Sequence, residues 1–204
     1  PALALEWEID STAKVYTFRL RNASFHNGKR LAADDVVYSL NRLRDPKVAS
    51  PGSWVVEDIA SLRTVDASTV EIVLKQPNST FLSLLAMPFC SVVPKDEITL
   101  TKSPVGTGPF KFHVWHYGEK LVLHKNETYW RIDGNGAQLP YLDGISISFL
   151  TDQQSAFLEY LRGNFDFLPN LDPSFKDDLL TKQGALQERY AAEHTLMRSP
   201  FLNA

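Results

Sequence analysis

The stretch SPVGTGPFKFHVW, Ser103 to Trp115, decides how the chain folds. Two architectures compete for it: a phosphate-cradling loop that opens a helix, and a turn that feeds a strand. A P-loop requires G-x-x-x-x-G-K-[ST], so that backbone N–H groups and a lysine face the phosphates. Here Pro109 follows Gly108 and has no N–H to offer. The dinucleotide fingerprint requires a third glycine three residues after the second, and Lys111 stands in that place. Phe110, Phe112, Val114 and Trp115, then Leu121 and Leu123, fit strand periodicity and not helical spacing. His116-Tyr117-Gly118-Glu119 supplies a turn between them. The stretch therefore reads as a small, bare turn running into a β-hairpin.

Working outward, Val15 to Leu20 alternates as a half-buried strand, and Phe25-His26-Asn27-Gly28-Lys29 supplies a turn through its Asn-Gly pair. Ala32 to Leu43 places Val36, Val37, Leu40 and Leu43 on one helical stripe, with Asp34 and Asp35 in the first turn favouring the helix dipole. Trp54 follows the loop Ser50-Pro51-Gly52-Ser53. Val65 to Thr69 reads as a turn before a strand over Val70–Leu74, and Ser79 to Ala86 as a short helix. Beyond the hairpin come the loop Gly134-Asn135-Gly136, an alternating strand through Ile145, Ile147 and Phe149, a helix from Gln153 to Leu161 ending at Gly163, and a short strand Phe165-Asp166-Phe167. Helices and strands mix without a regular βαβ beat, which predicts an α/β or α+β arrangement.

The 204 residues are 44% hydrophobic, with 21 basic and 24 acidic side chains and a formal net charge of −3. That suffices for a sizeable core and one or two domains. It lacks the basic footprint of nucleic-acid binding. No apolar run reaches the length of a membrane span; the longest, around Phe81 to Val93, is broken by Ser83, Pro88 and Ser91. A single cysteine, Cys90, excludes an internal disulfide and a multi-cysteine zinc site. No signal peptide is visible, and the opening at Pro1 reads as a strand approach, so the natural start is expected upstream.

Catalysis finds no constellation. Asp34-Asp35 and Asp177-Asp178 are adjacent and diverge by about 100° on a helix. No G-x-S-x-G elbow occurs. His113 and His116, three apart in a strand, are expected on opposite faces, and no metal site is expected there. Asn22, Asn78 and Asn126 match the glycosylation acceptor pattern, a match short enough to arise by chance. The aromatics stand out more. Trp54 and Trp130 sit at loops, where rings serve either as anchors under the loop or as walls of a ligand cleft.

Taken in order, PALALEWEID with VYTFRLR, FHNGKRLAADDVVYSLNRLRDP, SPVGTGPFKF, LVLHKNETYWR, LPYLDGISISFLTD and LRGNFDFL resemble the family 5 solute-binding proteins of bacterial ABC transporters. The resemblance implies a partial type II periplasmic binding protein-like fold of mixed α/β class. Residues 1–97 would be a small accessory α/β subdomain and residues 98–204 the central part of the first ligand-binding lobe, its mixed sheet included, with the second lobe and the C-terminal return absent. It implies a non-enzymatic receptor, without cofactor, that binds a peptide or other small solute between lobes and delivers it to ABC permease subunits. The alternatives are a regulatory or structural domain on the same fold, or a hydrolase. A periplasmic or extracellular location is implied, with lipid anchoring open. By the same resemblance Trp54, the stretch Met87, Phe89 and Cys90, and the turn Gly106, Thr107 and Gly108 are expected to face solute.

Overall fold

The computed structural model describes residues 2–95, 103–169 and 172–196, and the chain divides into two compact units, 1–147 and 148–204. The first unit opens on a four-stranded antiparallel sheet of order β1-β2-β4-β3, formed by Ala4–Ile9, Val15–Leu20, Thr69–Leu74 and Ile59–Asp66. Tight turns set its register. At the β1–β2 hairpin the Asp10 carboxylate accepts from the Thr12 hydroxyl and from the N–H groups of Val15 and Lys14. The hydroxyl above all, then the Val15 N–H, holds its pKa down to about 2.

β4 shows why one face becomes core. Its alternation buries Val70, Ile72 and Leu74 against helix α1 (Ala33–Arg42), which packs on β3 and β4. Each such side chain contributes about 1.5–3 kcal/mol by leaving water. Phe81, on helix α2 (Phe81–Leu85), is fully buried and meets Tyr16 edge to face at 5.1 Å between ring centroids. A smaller core of Ala23, Phe25 and Leu31 lies under Trp130, with the Arg21 guanidinium 3.7 Å from the Trp130 ring centroid. Trp130 is therefore an anchor.

The predicted hairpin forms as β5 (Phe110–His116) and β6 (Lys120–Lys125), antiparallel, with β7 (Gly144–Ser148) beside β6. One reading needs correction. Phe112 pairs with Leu123 but Val114 pairs with Val122, so the strand carries a bulge at His113. That extra residue breaks the two-residue period and brings His113 and His116 to the same face. The His113 ring stacks on His124 across the hairpin, 4.0 Å between centroids.

In the second unit, helix α3 (Gln153–Leu161) starts at Asp152, whose carboxylate accepts from the Ser155 N–H at 2.7 Å, and ends before Gly163 at φ 78°. Among the described residues of this unit Phe157 and Leu179 are the buried apolar ones, and Phe157 stacks on Phe175. Short helices α4 (Lys176–Leu179) and α5 (Glu188–Ala191) complete the described part. Phe165–Phe167 is not a strand. An extended segment becomes one only by pairing, and this segment pairs with no strand among the described residues. β3 was not foreseen either, because its exposed residues hide the alternation.

Candidate functional site

Trp54 lies on a single-turn 3-10 helix, Ser53–Val56. Val55 and Val56 are driven into the core at 1% and 0% exposure, which leaves the Trp54 ring turned out at 48%. Arg44 braces this turn. Its guanidinium donates to the Val56 carbonyl at 2.6 Å and to the Ile59 carbonyl at 2.6 Å. A second single turn, Pro88–Cys90, repeats the pattern: Cys90 is buried and Phe89 is 38% exposed. Gly52 joins the two. A Cβ at Gly52 would lie 2.4 Å from Phe89 Cγ, so the bare backbone lets the phenyl ring settle beside the loop that carries Trp54. The result is an aromatic ledge on a rigid base.

Within the same stretch, Met87 packs against the main core. The Cys90 thiol donates to the Leu84 carbonyl at 3.6 Å, and burial pushes its pKa up. Cys90 is thus a protonated core residue at neutral pH, and Phe89 is the member with free surface.

The turn Gly106-Thr107-Gly108 is assembled separately, around His26. The His26 N–H donates to the Gly106 carbonyl at 2.8 Å, and the Gly106 N–H donates back to His26 Nδ1 at 3.3 Å. His26 Nε2 meets the Gly108 carbonyl at 3.0 Å. A carbonyl only accepts and an N–H only donates, so the ring is neutral with its proton on Nε2. From the other side Asn126, fully buried, donates its amide to the same Gly108 carbonyl at 2.9 Å and its N–H to the Pro109 carbonyl at 2.8 Å. The Asn126 side-chain oxygen is held in turn by the Thr128 hydroxyl at 2.9 Å. Neither Gly106 nor Gly108 has positive φ. A Cβ at Gly108 would meet nothing within 4 Å, and one at Gly106 only the edge of His26 at 3.7 Å. Their small size therefore answers no crowding among the described residues.

These geometries bear on the chain's relatives. The profile of the bacterial extracellular solute-binding proteins, family 5 Middle, matches residues 1–200. The chain belongs to this family. The dipeptide-binding protein of Escherichia coli K12 is 28% identical, with 85% of this chain aligned to 37% of that protein. Heme-binding protein A of Haemophilus influenzae is 31% identical across 100% of this chain and 42% of its own length. The Helicobacter pylori periplasmic binding protein DppA, solved with the peptide STSA, superposes at a TM-score of 0.78 with 30% identity, covering 88% of this chain and 39% of that one. The fold is thus part of a type II periplasmic binding protein, and the chain spans well under half the length of these relatives. The family is one of solute-binding receptors and not of enzymes. Among the described residues no helix is long and apolar enough to cross a membrane, and no three His, Cys, Asp or Glu side chains gather as a metal site.

Sequence reasoning nominated the ledge and the turn but missed His26, Asn126 and Arg44, which hold them. His26 also makes the turn responsive to pH. Burial of the ring, reinforced by the Lys111 charge on β5, lowers its pKa below 6.5, against the opposing pull of the Gly108 bond. A lowered pKa in the folded state means that the ring's contribution is complete above about 6.5 and is lost as pH falls through the folded value. Protonation puts an N–H where the Gly106 N–H needs an acceptor. In an NMR titration the His26 ring is expected to titrate below 6.5, with the Gly106 amide exchanging faster through the same transition; a ring pKa at or above 6.5 contradicts this account.

Proposed function

We propose that the chain supplies part of the solute-binding apparatus of a bacterial ABC importer, with peptides as the solute class. The observation that carries this reading is the ledge: Trp54 and Phe89 stay exposed while Val55, Val56 and Cys90 of the same turns are buried. Covering such rings with solute returns about 25 cal/mol for each Å² of apolar surface removed from water. Rigid rings also order little on binding. The peptide ligands in the names of the E. coli and H. pylori relatives support the solute class. In this reading residues 1–97 form a small accessory subdomain and residues 98–204 part of the first lobe. The remainder of a longer, periplasmic or extracellular protein closes over the solute and presents it to the permease, without turnover.

Calorimetry of that longer protein against a panel of di-, tri- and oligopeptides tests the proposal. Trp54→Ala is expected to weaken peptide binding at least tenfold, because a buried aromatic side chain is worth about 1.5–3 kcal/mol. Unchanged affinity in the variant, heme binding without peptide binding, or cleavage of the peptides each overturns it.

A further inference from the structure

The turn at residues 106–108 has an uneven supply of hydrogen-bonding groups. The carbonyl acceptors of Gly106, Gly108 and Pro109 are engaged. The Gly108 carbonyl receives both the His26 Nε2–H at 3.0 Å and the Asn126 amide at 2.9 Å, which fills its two lone pairs. The Gly106 carbonyl takes the His26 N–H, and the Pro109 carbonyl takes the Asn126 N–H. Its donors are not. Among the described residues the Thr107 and Gly108 N–H groups donate to no partner, whereas the Gly106 N–H is spent on His26 Nδ1. The missing Cβ atoms leave open space beside these donors. Through this space an acceptor oxygen can reach two N–H groups that no described protein group occupies.

Resting on the receptor reading above, we infer that the Thr107 and Gly108 N–H groups form a donor contact that takes an acceptor oxygen of the solute, a peptide carbonyl or carboxylate. His26 and Asn126 are positioning residues: by bonding the Gly106, Gly108 and Pro109 carbonyls they hold the backbone that carries the two N–H groups. A solute N–H directed at these two groups meets only donors, which disfavours that arrangement there.

The test is NMR on the 204-residue chain, labelled with ¹⁵N and titrated with trialanine into the tens of millimolar. The Thr107 and Gly108 amide protons are expected to move downfield along one saturable curve, together with the Trp54 indole. His26→Phe keeps a ring in place but removes both nitrogens. In that variant the Thr107 and Gly108 shifts are expected to fall at least threefold while the Trp54 response persists, which general unfolding does not produce. If Trp54 responds and Thr107 and Gly108 do not, the donor contact is wrong and the receptor reading stands. If none of the three responds, both fail. Full Thr107 and Gly108 shifts in His26→Phe refute the positioning role alone.

Discussion

Replacing Asp35 with alanine lowers the stability of the 1–147 unit by about 3 kcal/mol, because one buried carboxylate ties three segments together. Asp35 is 1% exposed. One oxygen accepts from the Ala32 N–H at 3.0 Å, fixing the first turn of α1. The other accepts from the Lys95 N–H at 2.9 Å and from the Lys29 ammonium at 3.0 Å. One turn later Ser39 extends the same seam, since its hydroxyl accepts from the Val93 N–H at 2.9 Å. Alanine leaves two backbone donors without acceptors, each costing about 1–3 kcal/mol, whereas Lys29 is exposed enough to be rehydrated. Asp35→Asn is expected to rescue little, because its NH₂ turns toward one of those donors. Denaturant midpoints of the wild type and both variants measure the effect, and a loss under 1 kcal/mol would show that the seam is held by packing alone.

The second large effect is one of affinity. The chain is expected to bind peptides only in the millimolar range, and the longer protein proposed above at least a hundredfold more tightly. Ligand sites bury most of a solute's surface, and in the proposed reading Trp54, Phe89 and the 106–108 turn supply one side of it. A ring stacked on one face of a solute adds about 0.5–1.5 kcal/mol beyond area burial, against about 8 kcal/mol for a micromolar site. Calorimetry on both proteins with the same peptides compares them directly. Equal affinities place the whole site within this chain and refute closure by a second lobe.

Elements with a local cause were legible in the sequence. β2 matches its alternation over Val15–Leu20, and α3 spans Gln153–Leu161 and stops before Gly163 as read. The turn before Phe110 followed from the proline after Gly108. What escaped acts at a distance. His26 reaches Gly108 across 82 positions and Asn126 reaches it across 18, each through a backbone carbonyl that any residue type presents. No periodicity marks such a bond. The bulge at His113 is similar, since a single unpaired residue shifts every face after it while leaving the composition unchanged. Trp54 and Phe89 were nominated by resemblance, but the seating of Phe89 beside the Trp54 loop depends on Gly52, whose role appears only when a side chain is imagined there.

The burial of Asn126 bears on how this protein can be produced. Asn126-Glu127-Thr128 satisfies the acceptor rule for N-linked glycans, and a eukaryotic secretory host adds them to the chain before it has folded. In the finished fold that amide is fully enclosed and bonded to Gly108, so a sugar attached early excludes the native arrangement of the 106–108 turn. In such a host modification at Asn126 therefore separates native molecules, unmodified at that residue, from misfolded ones that carry a glycan there. A bacterial cytoplasm or periplasm that lacks the transferase yields a single species.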